Sequence, residues 1–280
     1  QLLDSADEPI GDSSTIPTFL VCELARKSVT VALSADGADE LLGGYPRYEV
    51  CARFGESIGS WMRFAYLASA EVLDLLPPRL IRRLYRIVRQ SGPGYAAIDE
   101  KVRKFVRMAR ANSLSAAYNA GTSEFSDEEV LSLVSTESKT IVEPALRVGS
   151  GCRDPREDLM LTDLRYYLPG DLLTKLDRTS MLLSLEAREP FLDHHLASMA
   201  AALPMRWKTT DGQGKYILRR ILARHLRSNL FNRPKQGFSA PIGAWMRGAL
   251  RSRVEATLSA PRIQESGLLD GRAVQTTLER

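Results

Sequence analysis

The segment Val29-Thr-Val-Ala-Leu-Ser34-Ala-Asp36-Gly-Ala-Asp39-Glu40-Leu-Leu-Gly43-Gly44-Tyr45 limits what this chain can fold into more than any other. An apolar, β-branched run of strand length ends at Ser34. A glycine and three carboxylates follow at once, then paired glycines and an aromatic ring. The pattern predicts a buried parallel strand over Val29–Leu33 that delivers Asp36 and Asp39 to its carboxyl end. Ligands of open α/β sheets bind at that end, and acids placed there suit Mg²⁺ held beside phosphates. The plainer alternative is an acidic surface loop in which Asp36 or Asp39 caps a helix.

A helix precedes this strand. Asp12-Ser-Ser14 reads as a helix start, with Pro17 in the first turn and Phe19, Leu20, Leu24 and Ala25 as the inward stripe. Helix followed by strand followed by acids predicts a doubly wound sheet of which this strand alone stands out. Pro46 begins the next helix. Helical patterns continue over Trp61–Leu76, Arg79–Arg89 and Tyr95–Ala111, broken at Pro77-Pro78 and Gly92-Pro93-Gly94, so residues 46–155 form a helical region. Ser126-Asp-Glu-Glu129 has the form of a capping box. Gly149-Ser-Gly151 through Asp154-Pro155 reads as a loop, and a helix from Arg156 to about Leu168 is expected to stop at Pro169-Gly170.

Composition narrows the function classes. With 280 residues, 44% hydrophobic and 26% charged, the chain can bury a core. The net charge of +4 arises largely between Arg79 and Arg110. Leu76, Leu80, Leu84, Ile87 and Val88 keep helical spacing through that stretch, which favours an amphipathic helix with a solvated arginine face over a nucleic-acid surface. Cys22, Cys51 and Cys152 are few, far apart and without metal-ligand spacing, as expected of reduced thiols in a cytoplasmic protein. No apolar run approaches the ~20 residues that span a bilayer, and the first residues do not form a signal peptide. Neither a nucleic acid nor a membrane is an expected partner.

Two later segments carry charge at telling positions. On a helix over Asp171–Ser184, Asp171, Lys175 and Arg178 share one face, while Leu172, Leu176, Thr179 and Leu183 share the other. Taken alone, Asp171 and Lys175 make an ordinary i,i+4 surface pair. Pro190 breaks the chain after Glu186-Ala-Arg188, and Glu186, Arg188 and Asp193 read as a charged network around that turn. His194 and His195 beside Asp193 invite a hydrolase reading, but no G-x-S-x-G elbow is present. Gly214-Lys-Tyr-Ile-Leu-Arg-Arg220 reads as an amphipathic helix. Arg233-Pro-Lys235-Gln-Gly237-Phe238 reads as a glycine-hinged loop presenting an ammonium, or as a basic surface turn.

Ser34-Ala-Asp-Gly-Ala-Asp-Glu-Leu-Leu-Gly-Gly-Tyr45 resembles the S-G-[DE]-G-x-D-E-x-x-G-G-Y segment in the carboxy-terminal synthetase domain of the asparagine synthetase family. Three more blocks agree in order: Asp7-Glu-Pro-Ile-Gly-Asp-Ser-Ser14; Leu172-Leu-Thr-Lys175-Leu-Asp177-Arg178-Thr-Ser-Met181 running into Glu186-Ala-Arg188-Glu-Pro190-Phe-Leu-Asp193; and Asn232-Arg233-Pro-Lys235-Gln-Gly-Phe238. One departure is Ala35, where the family usually has glycine; a methyl there costs affinity or reshapes the loop if that backbone must approach the nucleotide closely or adopt a positive φ.

The resemblance implies a helix-rich α/β fold: part of a doubly wound, ATP pyrophosphatase-like parallel-sheet domain with a large helical portion, over residues 1–280. The implied reaction is ATP-dependent conversion of aspartate to asparagine through β-aspartyl-AMP, with ammonia drawn from glutamine. It gives Asp39 to Mg²⁺, and Ser34, Ala35 and Gly37 to the nucleotide. It gives Asp36 to formation of the acyl-adenylate, Lys235 to the departing pyrophosphate, and Lys175 and Arg178 to the phosphate side. An S-G-G-x-D-S pyrophosphate loop and an amino-terminal glutaminase domain are expected upstream in a longer parent chain, and a homodimer is open. A β-lactam synthetase or peptide-modifying amidotransferase remains a rival within the same architecture, and an idle helical interaction module a rival outside it.

Overall fold

The computed structural model describes residues 10–77, 79–81, 83, 98–135, 148, 151–232, 238 and 240–278. These fall into two units, one built from residues 1–121 and 148–240 and the other from 122–147 and 241–280.

The first unit opens with helix α1 (Thr15–Arg26) and strand β1 (Val31–Leu33), then the short helix α2 (Ala38–Leu41), α3 (Pro46–Ser57) and α4 (Met62–Leu75). Strand β2 (Glu186–Arg188) lies parallel to β1 with Val31 opposite Glu186, Ala32 opposite Ala187 and Leu33 opposite Arg188. Among the described residues the fold is therefore a helix-rich α/β arrangement with a two-stranded parallel sheet. The strand expected over Val29–Leu33 is present and parallel, but shorter and not buried: Leu33 is 73% exposed. A strand with a single neighbouring strand covers only part of its apolar surface, unlike the interior strands of a covered parallel sheet.

The apolar stripe expected on α1 also turns out differently. Leu20 and Leu24 face outward, and Thr18 and Cys22 are the buried positions. Ser14, Thr18 and Cys22 recur every four residues, and such small side chains allow close approach to the helix Thr174–Met181 packed beside α1. Leu20 and Leu24 are thereby left on the opposite side.

Pro46 is the first residue of α3. Phe54 on α3, Ala70 on α4, and Val106 and Ala109 on the helix Ile98–Arg110 share one apolar cluster with Ala117. Tyr48, Cys51 and Ala52 pack with Tyr118, Leu159, Met160 and Met205 in a second. Arg110 bonds Glu71 and Asp74 on α4, and Lys104 pairs with Glu100. Arg82 and residues 84–97 of the arginine-rich stretch lie outside the described residues.

The helix Pro155–Thr162 does not stop at Pro169-Gly170. It continues as a π-helix over Asp163–Leu173 and then as the α-helix Thr174–Met181. A wider i→i+5 turn accommodates a proline ring that an α-helical interior would exclude. Thr174 Oγ1 donates to the Pro169 carbonyl at 2.8 Å, satisfying an acceptor in that stretch. Glu186–Arg188 forms β2 rather than part of a turn, and the chain then tightens into a 3₁₀ turn at Pro190–Leu192. Asp193 caps the helix His194–Ala202 by accepting from the His195 and Leu196 amides.

In the second unit, Ser126 and Glu129 complete the expected capping box, at 3.2 and 2.7 Å. Val134 pairs antiparallel with Leu269, and Ile263 and Val274 are buried on the adjoining helices. Cys22, Cys51 and Cys152 are free thiols. No described helix is long and apolar enough to cross a membrane.

Candidate active site

The site begins where β1 ends. Ser34 N–H donates to the Arg188 carbonyl at 2.8 Å, carrying the ladder one residue beyond the strand. Its hydroxyl then turns to Asp36, donating to Oδ2 at 2.5 Å. Gly37 has φ +88°, a conformation that suits glycine, and a Cβ there would meet Leu192 Cδ2 at 2.2 Å. The positive φ of this turn thus falls on Gly37. Ala35 is exposed and is not among the positive-φ residues, so its methyl group meets no backbone strain.

Past Gly37 the chain coils into α2, which carries Asp39 and Glu40. Asp39 is half-buried, and its Oδ1 accepts from Lys215 Nζ at 2.9 Å. Glu40 is 1% exposed, and its Oε1 accepts from the Tyr45 hydroxyl at 2.7 Å while Oε2 is buried without a hydrogen-bond partner. Burial pushes the Glu40 carboxyl above the usual range; Asp39 and Asp163 reinforce this, and the Tyr45 hydrogen bond opposes it.

A polar network fixes the end of this turn to the π-helix. Asp163 is fully buried and accepts from Arg47 Nη2 at 2.6 Å, from the Tyr48 hydroxyl at 2.5 Å and from the Tyr118 hydroxyl. The Arg47 guanidinium also lies 4.0 Å from the Tyr45 ring centre and 4.6 Å from that of Tyr167. Charge, hydroxyl and ring contacts together offset the desolvation of the buried pair, and they hold Tyr45 against Glu40.

Lys175 is buried, and its ammonium donates to Asp12 Oδ2 at 2.5 Å and to Ser14 Oγ at 2.8 Å. Burial alone would raise the Asp12 carboxyl, but hydrogen bonds from Lys175 and Ser14 outweigh it and hold the group below its usual range. The cation expected on an open face with Asp171 therefore ties the helix Thr174–Met181 to the start of α1. Arg178 lies one turn further along that helix. Glu189, directly after β2, is raised first by burial and then by the negative charges of Asp36 and Asp177, so the ends of both strands and this helix share one electrostatic environment.

The expected site residues thus assemble in parts. Ser34 joins Asp36, Asp39 joins Lys215, and Lys175 joins Asp12 and Ser14. Lys235 lies outside the described residues, as do Asp7 and Glu8. Sequence reading missed Lys215, although Gly214-Lys215 stands just before a helical run, where a chain reversal is common. It missed Asp12 as an ion-pair partner because 163 residues separate it from Lys175.

The donor set suits Mg²⁺ bound in its common mode, through one or two carboxylates with phosphate oxygens and water completing the shell. Asp39 and Asp36 supply hard oxygens on one turn. No group of three or more His, Cys, Asp or Glu side chains among the described residues is arranged to hold a metal by itself.

The family model described as asparagine synthase matches residues 1–280. A putative asparagine synthetase [glutamine-hydrolyzing] of Mycobacterium bovis is 32% identical over 278 residues, covering 98% of this chain and 39% of that protein. Asparagine synthetase [glutamine-hydrolyzing] 1 of Bacillus subtilis is 31% identical over 253 residues, covering 89% of this chain and 36% of the relative. Amidase chry2 of Gibberella zeae is 27% identical over 109 residues, 37% of this chain and 16% of its own length. The chain spans about two-fifths of the length of the asparagine synthetases it matches. No solved structure gives a significant match.

Proposed function

The chain belongs to the asparagine synthase family, and from that premise we propose that it carries the synthetase chemistry of an ATP-dependent, amide-forming ligase that converts aspartate to asparagine. A carboxylate is a poor acyl donor. In the proposed reaction the aspartate side chain attacks the α-phosphorus of ATP, giving β-aspartyl-AMP and pyrophosphate, and ammonia then displaces AMP.

The observation that carries this reading is the passage from parallel strand to acids: Ser34, Asp36 and Asp39 follow β1 within six residues, at the carboxyl end of a parallel pair. Ser34, Ala35 and Gly37 lie along the nucleotide, with the exposed Ala35 backbone and the Ser34 hydroxyl as its contacts. Asp36, oriented by Ser34, guides formation of the acyl-adenylate. Mg²⁺ held at Asp39 neutralises phosphate charge when it is bound. Lys235 faces the departing pyrophosphate, Arg178 adds positive charge on the phosphate side, and Lys175 contributes from within its pair with Asp12. Ammonia comes from glutamine, hydrolysed by a separate amino-terminal domain of the longer protein. The two strands belong to a wider doubly wound, pyrophosphatase-like sheet.

ATP–pyrophosphate exchange in the full-length protein tests this. Exchange that depends on aspartate, and that is lost in Asp39→Asn, is the expected result. Exchange with a different carboxylic acid identifies a relative with another acyl donor, and no exchange with any acid removes the synthetase reading.

A further inference from the structure

Lys215 takes no part in the chemistry assigned above, yet two chain segments are shaped around it. It precedes the helix Tyr216–Leu222 with φ +56°, a left-handed conformation that residues with a side chain rarely adopt. Its amide donates to the Leu42 carbonyl at 2.9 Å, and its ammonium donates to Asp39 Oδ1 at 2.9 Å. The residue before it, Gly214, lies so close to the paired glycines that a Cβ would stand 2.2 Å from the Gly43 carbonyl oxygen and 2.7 Å from Gly44 Cα. On the other side, a Cβ on Gly44 would stand 1.8 Å from Asp39 Oδ1 itself. Bare backbone on both segments brings the lysine onto the aspartate, and a residue in the left-handed region is kept there by contacts at both its amide and its ammonium.

Charge supplies the reason for such a device. Asp36, Asp39 and Glu40 lie on one turn, and the negative charge of Asp39 already acts on the buried Glu40. An ammonium on Oδ1 offsets that crowding of negative charge and restrains the carboxylate when no metal is bound. A lysine is suited to this, as a compact charge on a flexible stem that can withdraw.

We propose that Lys215 is a positioning residue that holds Asp39 through Oδ1 in the metal-free enzyme and gives way to the divalent cation. This rests on the reading of Asp39 as the metal-holding carboxylate. An ammonium and a divalent cation compete for one carboxylate, so removing the ammonium strengthens metal binding, whereas loss of a merely structural lysine would leave it unchanged or weaken it.

The test is Mn²⁺ binding to the full-length protein without nucleotide, followed by electron paramagnetic resonance, in wild type, Lys215→Met, Lys215→Arg and Asp39→Asn. The expected result is an Mn²⁺ site lost in Asp39→Asn and tightened about 1.4- to 5-fold in Lys215→Met, the range given by a partly exposed ion pair. Lys215→Arg, which keeps the charge, should stay near wild type. If Lys215→Met folds poorly, Lys215→Gln carries the same expectation. Unchanged or weaker binding in the neutral variant, with the site still lost in Asp39→Asn, overturns the role of Lys215 and leaves the metal reading intact. Mn²⁺ binding that is absent, or indifferent to Asp39→Asn, overturns the metal reading and this proposal with it.

Discussion

Lys175 and Lys215 each hold an aspartate by one short contact, but their surroundings differ. The Lys175 ammonium is buried, shared between Asp12 and Ser14, and joins two helices. The Lys215 side chain is about one-third exposed, and its ammonium reaches a carboxylate on a four-residue helix at the edge of a glycine-lined turn. The Lys175 ammonium has lost most of its water and is compensated by its bonds to Asp12 and Ser14, so removing it leaves a partly buried carboxylate without its cation. The two aspartates are about equally covered, but the Lys215 side chain keeps more of its water than Lys175, so its ammonium can be exchanged at smaller cost. The same two residue types thus serve as a fixed lock in one place and as an exchangeable hold in the other.

The largest expected effect is at the lock. Lys175→Met should destabilise the fold by about 3 kcal/mol, since it leaves Asp12 partly buried without its cation; urea unfolding measures it. Asp12 is held below its usual range in the folded state, so its contribution is present above the unfolded carboxylate pKa and disappears as pH falls through the folded value. The gap between wild type and Lys175→Met should therefore narrow in acid. A gap independent of pH would mean that Lys175 stabilises through packing alone.

Gly214→Ala should come next, at about 1–3 kcal/mol, because the new methyl meets the backbone of Gly43 and Gly44 rather than a side chain that can move aside. It should also disturb the approach of Lys215 to Asp39, so its effect on Mn²⁺ binding should follow that of Lys215→Met in sign. A stability loss with wild-type metal binding would separate the glycine contact from the lysine contact.

Glu40→Gln should act in the opposite direction, stabilising the protein by about 1 kcal/mol at neutral pH. The folded Glu40 carboxyl is raised, so the native state favours its protonated form, and stability is lost as pH rises from the unfolded value through the folded one. The amide cannot ionise and escapes that loss. Thermal melts across pH should show the gain vanishing in acid; a gain that persists there would point to packing. Smallest of all, Lys215→Met should change stability by only about 0.2–1 kcal/mol. A loss as large as that of Lys175→Met would erase the distinction between the two pairs.

Local pattern made the acid turn legible, because a β-branched run, a glycine and carboxylates fall within a dozen residues. The capping box at Ser126 and the helix start at Pro46 were legible for the same reason. Partner strand β2 was not, since Glu186-Ala-Arg188 lacks β-branched residues and its exposed–covered–exposed alternation runs over only three residues, between a helix and a 3₁₀ turn. Pro169 signalled a helix end, but a π-helix absorbed it. On α1 the leucines misled, as the close packing of Thr18 and Cys22 against a neighbouring helix decides which face is buried. Both lysine–aspartate pairs join residues far apart in sequence, and no periodicity records such a meeting.

The most direct test of the proposed chemistry is to follow the oxygen of the acyl donor. With aspartate labelled by ¹⁸O in its side-chain carboxylate, attack on the α-phosphorus followed by displacement by ammonia leaves one labelled oxygen in AMP. The full-length protein, given ATP, ammonia and labelled aspartate, should yield ¹⁸O-AMP with unlabelled pyrophosphate, and Asp39→Asn should yield almost none. Label in inorganic phosphate, with ADP as the nucleotide product, would contradict the acyl-adenylate and with it the roles given to Asp36, Asp39 and Lys235.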